Sequence, residues 1–390
     1  MKEGWIGWRN KIIGWKYHWL LKPLLFRRDP EVVHDDFNRV GRFLGRFAVT
    51  KFLTKICFAY AHPALTQDLL GLQFKNPIGL SAGFDKNIEL TDILPVVGFG
   101  FMEGGSVTGR PCAGNPKPRL WRLPQSQSLL VWYGLKNDGA VAISRRLKEK
   151  SDRKKFAFPL GISLAKTNDE HAVETQAGIA DYLAAYRAFI VADIGDYYTI
   201  NISCPNTFGG EPFADPTRLD LLLAAFARET PAWPKPIFIK LPPDHLDESK
   251  LDQIINLGRR YHLSGFICSN LTKDKDNQDI QAKIKDLLPS SQGGLSGKVV
   301  EGLANRQIAY LYRQTKGKFI IIGVGGIFTA EDAYAKIKAG ASLLQMITGM
   351  IFNGPQVVSE INQGLVRLLR QDDYQNISQA IGADHRPVAR

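Results

Sequence analysis

The 390-residue sequence predicts a (β/α)8 barrel preceded by a small helical segment. Eight short apolar runs recur along it, and each breaks off into small, amide, hydroxyl or cationic residues. Helix-like stretches, such as residues 182 to 194, 250 to 261, 304 to 315 and 330 to 339, separate most of these runs. Strands alternating with helices argue for a parallel sheet, and in a barrel all eight polar endings would face one mouth. A doubly wound open sheet would gather its chemistry at one switch point and would not need every strand to end this way.

The first 69 residues differ in kind from the rest. Residues 1 to 60 hold twelve Lys or Arg against five Asp or Glu, a net +7 of the chain's +12, and four of seven tryptophans fall within the first nineteen positions. Trp5, Trp8, Ile12, Trp15 and Trp19 share one helical face, with Lys2, Arg9, Lys11 and Lys16 around the remainder. Tryptophan favours the membrane interface and basic residues favour anionic lipid, so a helix lying in the headgroup region is expected. Charged residues interrupt the apolar run well short of the ~20 residues that a spanning helix needs. Nucleic-acid binding is not expected, because the basic residues accompany a broad apolar face and form no dense stripe. A second amphipathic stretch, residues 32 to 60, carries Phe37, Val40, Phe43, Leu44, Phe47, Phe52, Leu53 and Phe58. Both belong to a predicted membrane-associating unit at 1–69.

The barrel is expected over 70–370. Its first strand, Pro77-Ile78-Gly79-Leu80, leads into Ser81-Ala82-Gly83-Phe84-Asp85-Lys86, and the second, Phe99-Gly100-Phe101-Met102, into Glu103-Gly104-Gly105-Ser106. The third, Phe158 to Ile162, ends at Ser163, and the fourth, Tyr197 to Ile200, runs into Asn201-Ile202-Ser203-Cys204-Pro205-Asn206-Thr207. That fourth ending, with two amides, two hydroxyls and a thiol around one proline, has stopped building a core and started building a site. The fifth strand ends at Lys240, the sixth at Ser269-Asn270, the seventh at Gly323-Val324-Gly325-Gly326 and the eighth at Thr348-Gly349. The last 20 residues, 371–390, rich in Gln and Asp, are expected to form a loosely packed tail.

Chemistry follows from these endings. Bare glycine amides after strands seven and eight suit a phosphate, the usual anion site of such barrels. Lys86 and Lys240 reach into the mouth, and Lys240, set between apolar neighbours, needs a negative partner, which a reduced flavin ring would supply. Cys57, Cys112, Cys204 and Cys268 share no metal-like spacing, so no metal site is expected, and with no secretory signal ahead of them reduced thiols are the expectation.

Six separated motifs resemble the dihydroorotate dehydrogenases: Asp29-Pro30-Glu31 with His34, Asn76 to Lys86, Lys117-Pro118-Arg119-Leu120, Asn201 to Thr207, Gly293-Gly294-Leu295-Ser296-Gly297 and Gly323 to Ile327. The helical N-terminus resembles that of the quinone-using, membrane-associated class 2. The resemblance implies oxidation of dihydroorotate to orotate in pyrimidine synthesis, with FMN as cofactor and a membrane quinone as acceptor. It also implies a peripheral protein on the cytoplasmic side of a bacterial inner membrane. Carried over position by position, it assigns FMN to Ala82, Gly83, Ser106, Asn201, Lys240, Ser269, Gly297, Gly326 and Thr348, with Gly325 and Gly349 beside the phosphate. Substrate falls on Lys86, Asn201, Asn206 and Asn270, and the base that takes the C5 proton falls on Cys204.

Five positions depart from the family pattern. Class 2 members usually carry serine at Cys204. Val131 and Leu135 stand where a substrate amide and phenyl are usual, Leu271 replaces a hydroxyl residue, and Ser163 replaces a flavin-contacting asparagine. Lys136 is the candidate to compensate at the substrate. The alternatives are an FMN oxidoreductase acting on another dihydropyrimidine or planar acid, a flavin reductase acting on a uracil ring in RNA, and a flavin-binding protein with a decayed substrate pocket.

Overall fold

The computed structural model describes residues 3–244, 246–276 and 292–386. Eight parallel strands close into a barrel in sequence order: β1 Ile78–Leu80, β2 Phe101–Val107, β3 Leu160–Leu164, β4 Tyr197–Asn201, β5 Ile237–Leu241, β6 Gly265–Cys268, β7 Ile320–Val324 and β8 Leu343–Met346. Closure is made by β8 against β1, with Leu344 opposite Ile78 and Met346 opposite Leu80. All eight expected runs are strands. The helices between them include Thr175–Val191, Glu248–Arg260, Glu301–Thr315 and Ala330–Lys338.

The lower barrel is filled by Phe74, Phe101, Tyr197, Phe238, Ile267, Ile322 and Leu343. Such bulk fits because neighbouring positions lack side chains: a Cβ on Gly161 would come within 2.1 Å of the Tyr197 ring, and one on Gly79 within 2.4 Å of Phe101. Phe74 comes from a hairpin, Gln67–Leu69 with Leu72–Phe74, that stoppers the base. At the opposite end, Leu120–Leu123, Ser128–Val131 and Gly294–Gly297 form a three-stranded antiparallel sheet. Neither the hairpin nor this sheet was expected from the sequence.

Three helical pieces precede the barrel. Helix α1, Glu3–Lys16, continues through a π-helical turn, Tyr17–Leu21, into Lys22–Phe26. Helix α2, Pro30–Arg46, starts where Asp29 accepts the Val32 N–H at 2.9 Å, with Pro30 in the first turn. Helix α3 spans Ala48–Phe58. Trp5, Trp8, Trp15 and Trp19 are exposed, as are Phe43, Phe47, Phe52 and Leu53. Arg9, expected beside the tryptophans on the polar surface, is instead buried. Its guanidinium donates to the Ile56 and Ala59 carbonyls (2.8 and 3.0 Å) and to Ser359 Oγ (2.7 Å), joining α1 to α3 and to the final long helix, Val357–Gln371. A guanidinium that meets this many acceptors is more stable buried than a lysine would be. Lys2 lies outside the described residues. No helix among the described residues is long and apolar enough to cross a membrane.

The end of the chain, expected to be loose, is packed as far as residue 386. Ile377 and Ala380 are fully buried, Asn376 and Gln379 make a capping box, and His385 stacks on Tyr312.

Candidate active site

The residues that the resemblance assigned to cofactor, substrate and base line one cavity at the C-terminal mouth: Ala82, Gly83, Lys86, Ser106, Asn201, Cys204, Asn206, Lys240, Ser269, Asn270, Gly297, Gly325, Gly326, Thr348 and Gly349. They come from the ends of all barrel strands except β3, and from the roof sheet. Convergence of this kind follows from the parallel topology, which points every strand's carboxyl end the same way.

At the floor, Lys240 is 2% exposed, and its ammonium donates to Ser81 Oγ at 3.4 Å. Burial pushes it below the usual lysine value, while the buried Glu103 carboxyl works in the opposite direction. Glu103 accepts from Thr199 (2.9 Å) and Gln345 (3.0 Å), and burial raises its own proton affinity. A connected amide-hydroxyl array runs along one wall. Ser163 and Ser106 share a bond of 2.7 Å, and Asn201 donates to Ser106 at 2.8 Å. Asn201 also accepts from Ser203 Oγ, and Asn270 donates to the Ser203 carbonyl at 2.7 Å. Ser163 thus supports Ser106 from behind. Asn206 donates to the Val131 carbonyl at 3.0 Å, so position 131 serves the site through its backbone.

Several polar atoms of this cavity remain open. Asn206 Oδ1, Ser269 Oγ and Gln345 Oε1 are buried with no hydrogen-bond partner among the described residues. A buried polar group left unpaired costs roughly 1–3 kcal/mol, so atoms like these imply a ligand. At the glycine end, Gly325, Gly326 and Gly297 adopt φ of +102°, +72° and +104°, which side-chain-bearing residues avoid. The loops also close tightly there, since a Cβ on Gly349 would lie 2.1 Å from the Ile327 carbonyl oxygen.

At the outer end, Lys86 sits 3.7 Å from the centre of the Tyr133 ring. Burial pushes its ammonium down to about 7, partly offset by Asp35. His34 of α2 donates from Nε2 to the Phe84 carbonyl (2.7 Å), and burial, then Lys86, push its imidazole below the usual value. Lys136, the candidate to compensate for the altered loop, does not line the cavity. It is half-exposed outside the cavity, with its ammonium 3.9 Å from Glu31. Glu31 is bound bidentately by Arg119 at 3.1 and 2.7 Å, which ties α2 to the roof sheet. The Cys204 thiol is partly buried. Burial pushes it up to about 11, the Asn206 backbone acts in the other direction, and Glu211 adds to the rise.

A second, apolar cavity lies between the N-terminal helices and the barrel, lined by Tyr17, Leu25, Phe26, Pro30, Val33, Phe37, Arg122, Met350 and Pro355. It shares His34, Phe84, Leu120, Leu129 and Ile351 with the first. Tyr17 fixes its edge by donating to the Ile351 carbonyl at 2.6 Å. Sequence reasoning missed this cavity, and also the roles of Tyr133 and Glu103. The glutamate did leave a signal, as a lone acid inside the apolar run of β2.

Fold and mouth together place the chain among the (β/α)8-barrel enzymes. Comparison with known proteins narrows the class. The dihydroorotate dehydrogenase family model matches residues 64–369, and the chain belongs to that family, whose members are flavin-dependent enzymes. Similar proteins named dihydroorotate dehydrogenase (quinone) occur in Roseiflexus castenholzii, 37% identical over 94% of this chain and 96% of the relative, and in a Nostoc species, 38% identical over 95% and 99%. They set it in class 2, the quinone-using branch. A crystal structure of DHODH from Eimeria tenella in complex with ferulenol is 29% identical, with a TM-score of 0.78 over 92% of this chain and 96% of that one.

Proposed function

We propose that this protein oxidises dihydroorotate to orotate in de novo pyrimidine biosynthesis, binds FMN in the barrel mouth, and passes the electrons to a membrane quinone. One observation carries the reading: a cationic floor, an amide wall and a glycine cradle meet in one cavity, next to an apolar annex that opens toward exposed aromatic helices.

The residues fit the cofactor. Gly325, Gly326, Thr348 and Gly349 offer backbone amides and a hydroxyl to a phosphate, and Ala82, Gly83, Ser106, Ser269 and Gly297 leave flat space and open polar atoms for a ring. Among the described residues Lys240 has no carboxylate in direct contact, so it can face negative charge on a reduced ring. FMN bound there supplies the two-electron acceptor for the substrate hydride.

The protein's own residues do the rest. Lys86 holds the substrate carboxylate, and Asn201, Asn206 and Asn270 present amides to the carbonyl and N–H groups of a planar ring. Cys204, as thiolate, takes the proton from C5 as the C5–H bond breaks and becomes the thiol, while the C6 hydride departs to the opposite face. The double bond of orotate forms between these two carbons. Asn206, tied to the Val131 backbone, retains its orientation even though the loop side chain has changed. The apolar annex suits a quinone ring and the start of its tail, and the tryptophan-bearing helix suits the headgroup region of the cytoplasmic face of a bacterial inner membrane.

The test is anaerobic addition of dihydroorotate to purified protein. The reading predicts a flavin spectrum that bleaches within the mixing experiment and returns on addition of a quinone. A flavin that stays oxidised would remove dihydroorotate as substrate.

A further inference from the structure

Beside Cys204 lies a third, much smaller chamber, lined by Lys166, Tyr182, Asn201, Thr207 and Phe213 together with Cys204 itself. Cys204, with Leu135 and Asn201, lines both this chamber and the main cavity. Lys166 stands two residues beyond the end of β3 and is 3% exposed. Its ammonium donates to the Phe208 carbonyl at 2.7 Å. The acids that influence it, Asp169 and Asp181, are engaged by Arg110 at 2.9 and 3.4 Å. A lysine this enclosed is rare without a charged partner.

We propose that Lys166 is a positioning residue for the base: its ammonium, held across the chamber beside Cys204, favours the thiolate over the thiol. The inference rests on the reading of Cys204 as base. It accounts for a cysteine working where class 2 enzymes usually carry serine, since a thiolate in this wall needs a cation that an alkoxide-forming serine would exploit far less at neutral pH.

The surrounding charges agree in direction. Burial pushes the thiol up, Glu211 and Cys112 add to that, and Lys166 opposes it. For Lys166 itself burial pushes down, and Cys204, Asp169 and Asp181 push up. From the other elements, Tyr182 on helix Thr175–Val191 donates to the Asn201 carbonyl at 2.7 Å, and Lys240 faces Cys204 from β5. Glu211, pushed up to about 7 by burial, lies 3.9 Å from Lys273, so its own titration must be separated from that of the thiol.

The experiment uses FMN-loaded protein with the exposed Cys57 changed to serine. Iodoacetamide labelling at Cys204 is followed by mass spectrometry across pH 6 to 11, beside stopped-flow flavin reduction by dihydroorotate. Lys166→Gln keeps a donor for Phe208 and removes the charge, while Lys166→Arg keeps the charge. In Lys166→Gln both pH profiles should be displaced upward by about one unit, read below the wild-type midpoint as labelling and reduction slowed about tenfold with substrate affinity unchanged, and Lys166→Arg should restore them. Labelling and reduction profiles that coincide with wild type in Lys166→Gln overturn the proposal. So does loss of flavin or of folding in both Lys166→Gln and Lys166→Met, which would make the residue structural. If Cys204→Ala reduces at the wild-type rate, the base assignment fails instead, and the labelling midpoints still report on Lys166.

Discussion

The barrel mouth and the N-terminal helical layer solve opposite problems. In the mouth, polar groups are enclosed, and along one wall they are tied in series: Ser163 to Ser106, Ser106 to Asn201, Asn201 to Ser203, Ser203 to Asn270. In the helical layer, large apolar side chains are left outside, with Trp19 at 70% and Phe52 at 62% exposure, while the inward face is pinned by Arg9, Asn10 and Tyr17. A buried polar array fixes geometry, as chemistry at a ring atom needs. An exposed aromatic face fixes a location, because apolar area open to water is stabilised only against something that covers it. The apolar annex between them touches both regions.

The largest expected effect tests the mouth. Lys240→Ala removes the cation at the cavity floor, and most FMN should be lost on purification, read from the flavin-to-protein absorbance ratio; full occupancy with normal reduction would show that the ammonium serves no cofactor. Next is Cys204→Ala, which should retain FMN and slow reduction by on the order of 10² or more at neutral pH. Because burial holds the thiol up at about 11, wild-type reduction should accelerate as pH rises from 7 to 10, and that slope should vanish in Cys204→Ala.

The annex comes third. Val33→Trp fills it from α2, and turnover with a long-tailed quinone should fall about tenfold while turnover with a soluble dye stays within a factor of two. Equal losses would mean that the annex is not on the acceptor's route. The smallest effect concerns the seam between the regions. Burial raises Glu360 to about 7 from its ordinary 4.5, so the folded state binds the proton more tightly than the unfolded chain does. Its contribution to stability is then present at low pH and fades as pH rises through 7. Glu360→Gln should accordingly raise the melting temperature by on the order of 1 °C at pH 8 and leave it unchanged near pH 4.5.

How much of this could be read in the sequence also divides by region. The eight strands and their endings were legible because each is a continuous apolar run bounded by glycine, proline or amides, and a parallel barrel gives all the endings one destination. The roof sheet was not. Its strands are four residues long, Trp121 and Arg122 interrupt the first, and its third member, Gly294–Gly297, is remote in sequence. In the helical layer the tryptophan face was visible as a period, but Arg9 was misread as surface. Periodicity places a residue on a face without saying what that face will meet; Arg9 meets carbonyls from α3 and a serine of the final helix. Lys166 went unnoticed for a related reason: a single lysine past a strand end looks like any solvated one until the fold closes Phe208 and Cys204 around it.

The most direct test of the division separates the two half-reactions in one preparation. In wild type and in a variant with Trp5, Trp8, Trp15 and Trp19 changed to serine, anaerobic double mixing first reduces the flavin with dihydroorotate, then reoxidises it with a long-tailed quinone in anionic liposomes. The account predicts an unchanged reduction rate, reoxidation slowed several-fold or more in the variant, and normal reoxidation by a soluble dye, since only the bilayer acceptor depends on the exposed face. Reoxidation by liposomal quinone at the wild-type rate would contradict it.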